Sequence, residues 1–103
     1  MIARHWRGLA RREHADRYLD HLRSDTFRQL HGIDGFIDAA VLRRDVPDGV
    51  EFLVVTRWES LDAVRRFAGD DAEVAVVPEP ARQMLVDFDR RVLHYDVVDT
   101  FPT

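Results

Sequence analysis

Residues 50–67 read VEFLVVTRWESLDAVRRF. The first half, Val50 to Trp58, is dense in β-branched and aromatic residues and follows the turn-forming Pro47-Asp48-Gly49, which predicts a buried strand. The second half changes period. Leu61, Val64, Phe67 and Ala68 share one helical face, and Ser60 stands where an N-cap belongs. A strand that passes into a helix through Trp-Glu-Ser is the turning point of a small α/β unit.

Working outward, Phe36 to Arg44 has strand composition and meets Val50–Trp58 across a loop with Pro and Asp-Gly chemistry, which predicts an antiparallel hairpin. Before it, Ala15, Tyr18, Leu19, Leu22 and Thr26 form a stripe at helical spacing, predicting a long helix from Ala10 to about Leu30. Ser24-Asp25 offers a fresh cap inside that helix, and Gly32 closes it. Ile2 to Leu9 reads as a first strand, with Ala3, His5 and Arg7 on one side and Ile2, Arg4 and Trp6 on the other. Gly8 there predicts a bulge or a close backbone approach. Downstream of Gly69 the reading is an irregular stretch over Asp70–Val77, a helical turn over Pro80–Met84, and a last strand over Arg90–Val98.

The order β-α-β-β-α-(short α)-β predicts an α+β, ferredoxin-like fold with an antiparallel sheet and helices on one face, as a single domain over residues 1–103. A chain of this length buries only roughly 65% of its unfolded surface. Strands apolar on both sides, such as Phe52-Leu53-Val54-Val55, need cover on both faces. A homodimer packed sheet on sheet meets both needs and is expected.

Composition narrows the partners. All fifteen basic residues are Arg, interleaved with nineteen acidic ones, so no basic stripe exists for nucleic acid. There are no cysteines, which removes disulfides, thiolate metal sites and cysteine nucleophiles. No apolar run approaches the ~20 residues of a membrane span, and MIARHWRG lacks a secretion signal's apolar core. A cytoplasmic location is the expectation. His14 and His21 lie seven apart on one helix side, but no third ligand is spaced to complete a metal site.

The opening Met-Ile-Ala-Arg-His-Trp-Arg-Gly, the segment Arg-Trp-Glu-Ser-Leu-Asp-Ala-Val-Arg-Arg-Phe-Ala-Gly and the closing Val-Leu-His-Tyr-Asp-Val resemble stand-alone antibiotic-biosynthesis-monooxygenase (ABM) domains. The resemblance covers nearly the whole chain in order. It implies a dimeric α+β barrel with a ligand cavity between helices and sheet. It also implies one of three lines of activity: cofactor-free oxygenation of anthrones or quinols, haem degradation, or an orphan role. The haem-degrading pattern calls for an Asn on the first strand, a Trp late in the second helix and an axial His about ten residues later. The nearest positions here hold His5, Phe67 and Val77, so haem degradation is not expected.

The leading expectation is therefore a cofactor-independent oxygenase for an aromatic small molecule of anthrone or hydroquinone type. Such a reaction needs a proton acceptor, a stabiliser of phenolate charge and an apolar chamber. The catalytic candidates are His5 as base or anchoring donor, with Arg7 and Tyr18 stabilising the phenolate. Trp6, Trp58, Phe67 and His94 are the substrate-binding candidates, and no cofactor or metal is called for. Trp58, next to Ser60, also suits a packing role. His94 also suits a role as partner to a buried backbone group. The alternatives are a cyclase or isomerase using the same groups, or a non-enzymatic dimeric binding module in which side chains fill the space between helix and sheet.

Overall fold

The computed structural model describes residues 1–102. Its first strand, β1 (Ile2–Ala10), is followed by a single 3₁₀ turn at Arg12–His14 and then by one continuous helical rod. The rod comprises α1 (Ala15–His21), a π-helical turn (Leu22–Thr26) and α2 (Phe27–His31). The long strands β2 (Phe36–Val46) and β3 (Gly49–Trp58) form the hairpin, α3 (Leu61–Ala68) follows, and α4 (Glu79–Arg82) is a single turn. Two short strands, β4 (Leu85–Phe88) and β5 (Leu93–Asp96), end the chain.

The sheet order is β2-β3-β1-β4, with β5 also on β1, and every pairing is antiparallel. This is the ferredoxin-like arrangement that the element order predicts. The hairpin and the β3–α3 hinge match their sequence reading closely. Ser60 is extended, and its hydroxyl accepts a hydrogen bond from the Ala63 amide at 3.2 Å, so one otherwise orphaned N–H of α3 is satisfied. Gly69, at φ +92°, ends the helix.

Three elements depart from expectation. The long helix starts only after Arg11, because the β1 ladder runs on to Ala10, opposite Val50. Ser24-Asp25 does not start a new helix: the Ser24 hydroxyl donates back to the Asp20 carbonyl (2.8 Å), and the chain widens into a π turn. The last strand is shorter than Arg90–Val98 and has an earlier half, β4. The two halves run along the same edge of β1 and are parted by Asp89–Val92. That interruption pairs elsewhere, with Val92 N–H on the Glu73 carbonyl (2.8 Å) and Ala75 N–H on the Arg90 carbonyl (3.0 Å).

Cross-strand register sorts the sheet residues into two faces. One face carries the rows Phe36–Trp58–Ile2, Ala39–Thr56–Arg4–His94 and Val41–Val54–Trp6. The helices cover this face in two apolar clusters. Tyr18, Leu22, Phe52, Val54 and Leu85 centre the first, and Leu30, Trp58, Ala63 and Val64 the second. The opposite face carries Leu42–Leu53–Arg7, Ala40–Val55–His5–Leu93 and Asp38–Arg57–Ala3–Tyr95. Among the described residues no helix or strand covers it, and Leu93 (61%) and Tyr95 (51%) are exposed there. None of the helices described is long and apolar enough to cross a membrane.

Candidate functional site

The two apolar clusters do not close on each other. Between them lies a pocket with a cavity volume of about 60 Å³, or about 550 Å³ when the open space at its mouth is counted, walled by Trp6, Val54 and Thr56 from the sheet. Tyr18, His21, Leu22 and Thr26 line it from the helical rod, Phe67 from α3, and Val76–Pro78 and Ala81 from the following segment. A second depression, about 490 Å³, shares Thr26, Phe67 and Val76–Pro78 and adds Asp25 and Gln29, forming an outer vestibule. The π turn thus forms one lip of the opening and Val76–Pro78 the other. An interrupted α-helical repeat at a pocket mouth is a common setting for π turns.

Of the residues singled out from sequence, Tyr18, Trp6 and Phe67 line this pocket. Tyr18 is 2% exposed, and its ring meets Phe52 edge-on at 5.0 Å. Burial pushes its phenol well above the ordinary range, so the hydroxyl stays protonated. Trp6 is held by its indole N–H on the Asp89 carbonyl (2.9 Å). A Cβ on Gly8 would overlap the Trp6 ring, which is the close approach that the glycine permits.

His5 and Arg7 are not on the cavity side, contrary to the sequence reading. The covered face of β1 is Ile2, Arg4 and Trp6, because burying Trp6 against the helical rod turns its neighbours His5 and Arg7 outward. His5 lies beside Tyr95 on the open face (5.0 Å), and Arg7 pairs with Glu51 (2.8 Å). Trp58 is fully buried beside the pocket, in the second cluster. Its ring stacks on Phe67 at 6.0 Å, and its N–H donates to the Thr56 hydroxyl at 2.9 Å. It therefore shapes the wall from behind. His94 is on the covered face, one position along the row from Arg4.

Two further pocket residues carry polar atoms. His21, for which the sequence offers no third ligand to make a metal site, has a side chain only 11% exposed and an Nε2 with no hydrogen-bond partner. The nearest carboxylate, Asp25, stands 3.7 Å away, across the π turn. Arg4 is 4% exposed. Its Nη1 donates to the Ala72 carbonyl and to Nε2 of His94 (3.1 Å), and Nη2 donates to the Val74 carbonyl (2.8 Å). Its guanidinium also lies 5.8 Å from the Phe67 ring centre. Burial brings its pKa down to about 10, and burial followed by the Arg4 charge lowers that of His94, with Glu73 opposing. His94 accepts from Arg4, so its own proton sits on Nδ1.

Val77 stands at the position where the haem-degrading pattern places an axial histidine, and it lines the pocket with an aliphatic surface. The residues present do not fit haem, because an isopropyl group offers iron no donor. Among the described residues no three His, Cys, Asp or Glu side chains converge as a metal site.

Residues 1–77 match the sequence profile described as ABM, antibiotic biosynthesis monooxygenase. Among curated proteins none matches by sequence. A Bacillus cereus protein, crystallised as a candidate antibiotic biosynthesis monooxygenase, superposes with a TM-score of 0.70 at 19% identity, over 100% of this chain and 96% of that one. SnoaB of Streptomyces nogalater, a cofactor-independent oxygenase, gives 0.68 at 15% identity over 99% and 97%. The heme-degrader MhuD of Mycobacterium tuberculosis gives 0.62 at 18% identity over 97% and 99%. At these identities the likeness is one of fold.

Proposed function

The chain belongs to the antibiotic biosynthesis monooxygenase family, and from that membership we propose that it oxygenates an aromatic small molecule of anthrone or hydroquinone type without a cofactor. The observation that carries the reading is an apolar pocket lined by two polar residues of the helical rod, Tyr18 and His21, the second with an Nε2 that has no hydrogen-bond partner. In this reading Tyr18 stabilises the phenolate, and Trp6 and Phe67 wall the substrate, as their place in the pocket lining supports. His21 takes the place of His5 as base, since His5 and Arg7 face away from the chamber.

The chemistry follows from charge. His21 Nε2 accepts a proton from the activated C–H of the substrate, leaving a carbanion whose negative charge spreads to the ring oxygen. The Tyr18 hydroxyl donates to that oxygen, and the dry wall of Trp6, Leu22, Val54 and Phe67 strengthens this hydrogen bond. The carbanion passes electrons to molecular oxygen and forms a C–O bond. The peroxide then loses water, so CH₂ and O₂ become C=O and H₂O. SnoaB, of the same fold, is a cofactor-independent oxygenase, which supports this reading over the cyclase alternative.

The homodimer is part of the same proposal. The open face presents Leu42, Leu53, Leu93 and Tyr95 in adjacent rows, an apolar surface that sheet-on-sheet packing of a second copy would bury.

Oxygen uptake by the purified protein with a panel of anthrones and hydroquinones, corrected for autoxidation, tests the function. Uptake above background that falls sharply in His21→Gln supports it. Full uptake in that variant removes His21 as the base, and binding of panel members without uptake moves the binding-module reading ahead.

A further inference from the structure

Every arginine of this chain that reaches a carboxylate does so on the surface, as Arg7, Arg44, Arg57 and Arg91 do. Arg4 is the exception in both respects. It is the most deeply buried cation, and among the described residues no carboxylate lies within ion-pair distance of it. The groups it touches are two carbonyl oxygens, an imidazole and an aromatic face, all of them neutral. Dipoles and a π face hold the charge in place without cancelling it. A buried cation without a counter-ion is unfavourable unless something else supplies the anion. Arg4 is one of the residues that line the pocket.

We propose that the pocket is built for an anionic ligand, and that Arg4 is the residue that selects it by pairing with a carboxylate carried on the aromatic substrate. Three of the guanidinium's five N–H groups are used by Ala72, Val74 and His94. The Nε–H and one Nη2–H are left, a pair on one guanidinium that suits the two oxygens of a carboxylate. A lysine in this position has three donors, which Ala72, Val74 and His94 would use up, leaving none for a ligand. The anion binds at this pole, and the acid–base groups of Tyr18 and His21 belong to the helical wall across from it. Arg4 thereby sets which substrate enters and how it is turned. The inference rests on the pocket being the substrate site and names the class of molecule it takes.

The test compares 1,4-dihydroxy-2-naphthoate with its neutral counterpart 1,4-dihydroxynaphthalene, by anaerobic calorimetry on the intact protein. In the wild type the acid binds about tenfold or more tightly, and its advantage shrinks as salt is raised. In Arg4→Met the ratio of the two affinities falls to about one, a readout that a change of pocket shape common to both compounds leaves unmoved. Equal binding of the two compounds by the wild type overturns the inference without any variant, which matters because Arg4→Met also frees residues 72–74. Retention of the preference in a folded Arg4→Met protein transfers it to another group and overturns the role of Arg4. Binding of neither compound removes the pocket as a site for this class and takes the inference with it. Acid-selective binding without oxygen uptake leaves the anion site standing and counts against the oxygenase alone.

Discussion

Replacing Tyr18 with Phe removes one hydroxyl and leaves the packing of the ring against Phe52 and Trp6 intact. The expected result separates stability from activity. No protein group in the described structure accepts from or donates to that hydroxyl, so Tyr18→Phe breaks no internal hydrogen bond. A buried hydroxyl without a partner carries a penalty of about 1–3 kcal/mol. Some of this is relieved where the pocket admits water, so the variant should unfold at the wild-type temperature or a few degrees above it. For a domain of ~100 residues, 1 kcal/mol corresponds to about 4–8 °C. Catalysis should move the other way. A hydrogen bond to a developing oxyanion is worth about 1.5–3 kcal/mol, which is about 10- to 150-fold in kcat/KM. Thermal unfolding by circular dichroism and oxygen uptake on the same sample read the two effects. Loss of more than ~5 °C would show that the hydroxyl has a structural partner after all. Unchanged kcat/KM in a fully stable variant would remove Tyr18 from the chemistry.

Ser60→Ala should cost about 1 kcal/mol in urea denaturation and Ser60→Gly only a few tenths, since the lost interaction is the cap on Ala63 N–H; equal costs would point to a different cause. Gly8→Ala forces the Trp6 ring out of place and should destabilise by about 1–3 kcal/mol. In a Trp6→Leu background the same change should cost much less, and a cost that persists there would place the strain elsewhere. The pKa of His94 is depressed in the fold, so the unfolded chain binds more protons and stability falls as pH drops below about 6.5. His94→Gln should flatten the loss between about pH 7 and pH 5. The depressed carboxylates Asp38, Glu51 and Asp71, held down first by hydrogen bonds from Arg57, Arg44 and Arg91, lose their contribution only as pH falls below ~4. Identical pH profiles of stability for the wild type and His94→Gln would contradict this assignment. Leu93→Asp places a charge on the open face without touching the pocket and should shift light scattering from a 24 kDa dimer (twice 12.0 kDa) to a monomer; an unchanged dimer would mean that another surface pairs the copies.

Much of the architecture was readable along the chain because it depends on local spacing. The change of period between Trp58 and Leu61, the capping serine and the Pro-Asp-Gly turn each declare themselves within a few residues. Even the apolar stripe that carries Tyr18 into the pocket is a local signal. The last strand was legible only in part, because its break at Asp89–Val92 depends on pairing with Glu73–Ala75, far enough away in sequence to leave no mark on either segment.

What only the tertiary structure decided is which side of β1 faces the helices. Alternation divides Ala3, His5 and Arg7 from Ile2, Arg4 and Trp6, but both sets mix apolar and charged residues, so the pattern has no preferred sign. Packing supplies the sign: the indole of Trp6 fills the space beside Tyr18, Gly8 leaves room for it, and Arg4 is carried inside with it. A buried arginine looks like any other in sequence, because its burial is made acceptable by carbonyls from residues 72 and 74 and the imidazole of His94, which only folding brings to it. The chain's own spacing therefore determined the fold and one wall of the site, while the charge within that site was settled by contacts between residues almost the whole length of the chain apart.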